Sequence, residues 1–87
     1  MKKSLIKEKV KRILFNVLGT EIEDKASPDE IQGWDSLNHL NIIISLEEEF
    51  NIEIPPEDFP KLYKPLNDIV DFLYELLKTK ANEKLIN

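Results

Sequence analysis

The sequence predicts an all-α fold: a small antiparallel four-helix bundle, with three longer helices and one short, irregular third helix. Three observations carry this. Apolar side chains recur at three- and four-residue intervals in three separate stretches, the spacing of one buried helix face. Leu, Ile, Glu and Lys are abundant while Gly occurs only twice in 87 residues, a composition that favours helix. No stretch longer than four residues reads as a strand. The length sets a single domain over residues 1–87 with a modest core, since chains of this size bury little more than half of their unfolded surface.

In the first helix, Leu5, Ile6, Val10, Ile13, Leu14, Val17 and Leu18 form one stripe over residues 4–18. Ser4 is the expected cap and Gly19 the expected end. Lys7, Lys9, Lys11 and Arg12 fall mostly off the stripe, as on a solvated face. From Thr20 to Trp34 the periodicity lapses, and Ser27-Pro28-Asp29 and Gly33 mark a loop with at most a short helical turn after the proline. Ile22 and Ile31 are expected to pin this loop under the bundle. Trp34 either joins them or stands half exposed beside Ser36.

The second helix, Ser36 to Phe50, has more apolar side chains than one buried face can use. At about 100° per residue, His39, Ile42, Ile43, Leu46 and Phe50 gather on one side. Leu37, Leu40 and Ile44 form a second stripe roughly opposite, flanked by Asn41, Glu47 and Glu48. A domain this small cannot wrap a helix completely, so the second stripe is expected to be exposed in an acidic frame, as a docking surface. The alternative is that another helix covers it. Asn51 ends this helix, Ile52 and Ile54 anchor an extended link, and Pro55-Pro56 stops any continuation. The third helix opens at Pro56, with Glu57 and Asp58 in its first turn. Pro60 falls inside it and removes a backbone donor, so the helix is expected to be short, irregular or partly 3₁₀. Pro65 opens the last helix, lined by Leu66, Ile69, Val70, Leu73, Leu76 and Leu77 with Phe72 and Tyr74 beside them. The tail from Lys78 is expected to fray.

Charge and motifs exclude most function classes. The net charge is −5, yet residues 1–12 carry six Lys/Arg and one Glu, whereas Glu21 to Asp58 holds twelve acids against Lys25 alone. That central surface repels nucleic acid and attracts basic partners. The longest apolar run, Ile42 to Ile44, is far too short to span a bilayer, and the basic start lacks the apolar core of a signal peptide. A soluble, cytoplasmic monomer is expected. With no Cys there is no disulfide, thiolate metal site or thiol nucleophile. Phosphate loops, dinucleotide fingerprints and zinc or calcium motifs are missing as well. A hydrolase built on Ser36 and His39 has poor geometry, because His39 turns toward the core and no third group orients it. Glu47-Glu48-Glu49 could bind a divalent cation, but consecutive helix positions point in different directions, so any such site is expected to be weak and adventitious, and no metal site is expected.

What remains is Ser36, preceded by Asp35 at the positive end of a doubly striped helix. The stretch GWDSLNHLNIIISLEEEFNIEIPPEDF resembles the acyl carrier protein family, with its Asp-Ser-Leu opening helix two, an apolar series, a Glu-Glu-Phe ending and an Ile-Pro before helix three. The likeness extends more loosely over the whole chain. It implies an acyl-carrier-like bundle, 4′-phosphopantetheine from coenzyme A attached covalently to Ser36 between Asp35 and Leu37, and a transferase that attaches it. The arm would bring the thiol that the sequence lacks. The resemblance further implies a non-catalytic tether that carries acyl groups as thioesters in fatty-acid, polyketide-like or other secondary biosynthesis. Its partners would be acyl-loading, condensing or transferase enzymes with basic patches, docking on Leu37, Leu40, Ile44, Glu47 and Glu48. An apolar cargo could slip between helices two and three, beside Ile42, Leu46, Ile54, Phe59 and Leu62, if the irregular third helix opens at low cost. Carriers of primary fatty-acid synthesis usually have acids at the places of Asn38 and Asn41, and a small residue or Met at that of Trp34. These departures lean toward a specialised carrier. An unmodified helical adaptor with the same fold is the competing reading.

Overall fold

The computed structural model describes the backbone of residues 1–86 and the side chains of residues 1–80. Three α-helices, α1 (Lys3–Leu18), α2 (Ser36–Phe50) and α3 (Leu66–Ile86), are joined by a long loop and an extended link. The loop contains a single 3₁₀ turn, Pro28–Glu30, and the link leads into a 3₁₀ segment, Pro56–Leu62. The described residues contain no strand, so the all-helical expectation holds.

α1 is the central stave, packed along both α2 and α3, and the 3₁₀ segment lies against α3. Ile6, Val10 and Leu14 of α1 meet Ile42, Ile43 and Leu46 of α2 and Leu66, Ile69 and Leu73 of α3, all without solvent exposure. Truncating any one of these to Ala leaves a cavity that costs about 2–5 kcal/mol. Ile22, Trp34, Ile52 and Ile54 bring both connections into the same core, and Ile31 is half-buried against it. Trp34 is thus buried, at 5 % exposure, and does not stand half exposed beside Ser36.

Two termini follow the expected chemistry. Gly19 ends α1 at φ 76°, its N–H bonded to the Phe15 carbonyl, and Asn51 ends α2 at φ 52° with its N–H on the Glu47 carbonyl. Both are left-handed caps that a glycine or asparagine adopts at low cost. Two expectations are corrected. Ser4 is not the cap of α1: the helix begins a residue earlier, and the Lys2 carbonyl takes the N–H groups of both Leu5 and Ile6. Nor does helix stop at Lys78, for α3 runs on to Ile86. Leu76 and Leu77 are half-buried against the core, and the Lys80 ammonium donates to the Asn51 carbonyl, which ties this end of α3 to the end of α2. Asn87, the last residue of the expected tail, lies outside the described residues.

The basic face of α1 is more than a solvated surface. Lys3 pairs with Asp71 of α3 at 2.9 Å, Lys9 approaches Glu49 of α2 at 3.7 Å, and Lys7 pairs with Asp24 of the loop. Each such exposed pair contributes little by itself. The Lys7 and Lys9 pairs set the positive end of the chain against its acidic middle, and the Lys3 pair ties it to α3, in register with the apolar packing.

Candidate functional site

Gly33, at φ 89°, turns the chain out of the loop in a conformation that L side chains avoid. Asp35 is extended, and its Oδ1 accepts the Asn38 N–H at 2.8 Å, the usual N-cap bond. Ser36 is therefore the first helical residue, and it is exposed. Here a helix has N–H groups without intrahelical acceptors, aimed outward along the positive end of the dipole.

Asn38 secures this corner from the other side. Its Nδ2 donates to the Gly33 carbonyl at 2.7 Å, and its Oδ1 lies 3.4 Å from Asn41 Nδ2. A carboxylate accepts and cannot donate, so an acid at position 38 would lose the tie to Gly33. The neutral residue in the first turn of α2 thus has a structural use that periodicity alone did not show.

His39 faces inward, one turn from Asp35. Its Nδ1 accepts the Trp34 indole N–H at 3.0 Å, and its Nε2 lies 2.8 Å from the Phe59 carbonyl. Tyr63 meets both rings edge-on, with centroids 5.6 Å from Trp34 and 5.5 Å from His39. The Tyr63 hydroxyl donates to Asp29 at 3.0 Å; this bond, with a smaller contribution from burial, holds the phenol above its usual pKa. With both imidazole nitrogens engaged, none is free to take a proton from Ser36. Above this cluster lies an open groove of about 470 Å³, bounded by Trp34, Asp35, Ser36, His39, Phe59, Pro60 and Tyr63.

The second stripe of α2 is exposed as expected: Leu37 at 69 %, Leu40 at 43 % and Ile44 at 44 %. Glu48 is exposed beside it. Glu47 is not free in the same way. Its Oε2 accepts the Ile54 N–H at 2.9 Å, and its main-chain carbonyl takes the Asn51 and Ile52 N–H groups. The three consecutive glutamates diverge, Glu47 toward the link and Glu49 toward Lys9. Among the described residues no cluster of His, Cys, Asp or Glu could hold a metal ion, and no helix is long and apolar enough to cross a membrane.

The sequence placed Asp35, Ser36 and Leu37 together at the start of α2, and the structure keeps them so. It missed Tyr63 and Asn38 as parts of the corner. The only sequence signal was their polarity and aromaticity near helix ends.

The residues present fit a phosphopantetheine: an exposed hydroxyl at a helix N-terminus, next to an open, partly apolar groove. Comparison with known proteins agrees. The family model for the phosphopantetheine attachment site matches residues 8–73. The acyl carrier protein of Thermosynechococcus vestitus is 42 % identical over 76 residues, which cover 84 % of this chain and 93 % of that protein. The acyl carrier protein of Nitratidesulfovibrio vulgaris is 38 % identical over 71 residues, covering 78 % and 92 % respectively. The capped serine, the striped helix behind it and these likenesses together place the chain in the acyl carrier protein family, whose prosthetic group is covalently bound 4′-phosphopantetheine.

Proposed function

We propose that Ser36 is the attachment residue and that residues 1–87 form one carrier domain, a non-catalytic tether for acyl intermediates in the cytoplasm. The observation that carries this reading is the position of Ser36: exposed, first in α2, capped by Asp35, and adjacent to an unburied apolar stripe. In the modification, a bond forms between Ser36 Oγ and phosphorus as the pyrophosphate of coenzyme A breaks. Adenosine 3′,5′-diphosphate leaves, and the hydroxyl proton passes to the transferase. The bound group supplies the thiol that holds an acyl chain as a thioester.

The chain's own part is presentation. The start of α2 offers N–H groups and a positive dipole to the phosphodiester. Asp35 and Asn38 fix the direction in which Ser36 projects. Leu37, Leu40 and Ile44, edged by Glu48 and Glu47, would meet basic and partly apolar patches on the transferase and on loading, condensing or acyl-transferring enzymes. Charge of this kind speeds encounter and leaves affinity modest, while the tether raises effective concentration at each docked active site. Asn38, Asn41 and Trp34 favour a specialised pathway over primary fatty-acid synthesis.

The test is intact-protein mass after incubation with coenzyme A and a promiscuous phosphopantetheinyl transferase. One adduct on the wild type, lost in Ser36→Ala, is expected. No adduct under conditions that modify a control carrier would leave the unmodified adaptor as the better reading.

A further inference from the structure

The groove beside Ser36 has a floor, and that floor is a clasp. His39 projects from α2 and reaches the 3₁₀ segment through the Phe59 carbonyl at 2.8 Å, while Trp34 donates to its other nitrogen at 3.0 Å. Both are full hydrogen bonds by distance. Since the indole can only donate, Nδ1 must present a lone pair, and the proton of the neutral ring is placed on Nε2 for Phe59. Tyr63 packs edge-on against both rings and bonds to Asp29 in the loop. Three elements that share no regular backbone pairing are thereby joined at one point.

The position of the clasp matters for cargo. Ile42 and Leu46, further along α2, and Ile54 and Leu62, on the link and the 3₁₀ segment, belong to the core that the clasp closes over, none more than 3 % exposed. Any chain entering the core from Ser36 between α2 and the 3₁₀ segment must first part His39 from Phe59. Glu47 holds the far end of the same seam by accepting the Ile54 N–H at 2.9 Å. Pro60 makes the segment irregular, yet irregular backbone pinned at both ends is not cheap to open.

We propose that His39 is a positioning residue that keeps the carrier's cargo out of its core, so that short acyl groups with polar substituents suit it and long aliphatic chains do not. The inference rests on the carrier reading of Ser36. Cargo on the arm lies in the open groove over Trp34, Phe59 and Tyr63. There a hydroxyl or cationic substituent keeps its water and has the Asp35 carboxylate beside it. A long alkyl chain has no such accommodation: the groove is open, so a chain lying in it keeps its outer side in water.

The experiment loads Ser36 from octanoyl- and 3-hydroxybutyryl-coenzyme A with a promiscuous transferase, checks each product by intact mass, and records methyl NMR spectra of Ile- and Leu-labelled protein. On the wild type, both loads are expected to leave the methyls of Ile42, Leu46, Ile54 and Leu62 where they lie in the thiol form. His39→Leu keeps bulk but loses both polar contacts. In it, amide exchange in the 3₁₀ segment should rise about tenfold, and octanoyl should shift all four methyls and slow thioester hydrolysis severalfold. His39→Gln, whose amide can still donate toward Phe59, should behave as wild type, a rescue that mere loss of packing would not show. If His39→Leu does not fold, Trp34→Phe removes the indole donor and is expected to admit octanoyl in part. Core methyl shifts with octanoyl on the wild type overturn the proposal, as does a His39→Leu or, in its place, Trp34→Phe protein that excludes octanoyl equally well. A missing mass adduct instead refutes the carrier reading of Ser36 itself.

Discussion

Glu47 offers a sharp separation between docking and architecture. Its side chain stands at the edge of the exposed stripe, where a partner would meet it, yet its Oε2 accepts the N–H of Ile54, a residue only 3 % exposed. Glu47→Ala removes a charged acceptor and leaves that donor without a partner. Loss of such a bond costs about 1–3 kcal/mol, more than the 0.5–1.5 kcal/mol net worth of a neutral one. In a domain of this size each kcal/mol moves the melting midpoint by about 4–8 °C, so a 2 kcal/mol loss lowers it by about 8–16 °C. Glu47→Gln keeps a carbonyl acceptor without the charge and should lose less than half as much. Far-UV circular dichroism gives the midpoints, and urea unfolding checks that the slope is unchanged. A residue used only for docking would give the opposite pattern: equal loss of transferase kcat/KM in both variants and no change in melting. An Ala variant melting within 2 °C of wild type would refute the structural role.

Two further outcomes follow from the same geometry. Leu37→Ala and Ile44→Asp alter side chains that are 69 % and 44 % exposed; stability should stay within about 0.5 kcal/mol of wild type, while phosphopantetheine transfer or acyl loading, measured as kcat/KM, falls about tenfold. A large drop in melting temperature in either variant would show the stripe to be core. The Lys7 ammonium, hydrogen-bonded to Asp24, holds that carboxyl below its usual pKa. The folded value being the lower one, the stabilisation is complete above the unfolded aspartate's titration and is lost as pH falls below about 4. Asp24→Asn should therefore flatten the acid limb of melting temperature against pH, and salt should shrink the difference from wild type.

The helices were legible because a buried face repeats at the helical period. The limits of α2 were readable to the residue, since Asp35 and Asn51 are each strong end signals, and the irregularity of Pro56–Leu62 followed from Pro60. The start of α1 was misread because a serine near a helix start resembles a cap whether or not the chain turns there. The extension of α3 past Lys78 was hidden for a different reason: it is tied through Lys80 to Asn51, a contact between positions far apart in the chain.

Ser36 and its setting show the same division. An exposed serine behind a capping aspartate, followed by apolar residues on two sides of one helix, is a local pattern, so the sequence by itself determined the fold class, the attachment candidate and the stripe of Leu37, Leu40 and Ile44. Three-dimensional packing decided that Trp34 is buried, that Glu47 bonds to the link, and that His39 joins α2 to Phe59 beneath Ser36. Periodicity reports which side of a helix faces inward. It says nothing of which distant carbonyl or ring waits there, because that partner is set by how three helices and two irregular connections close around one core.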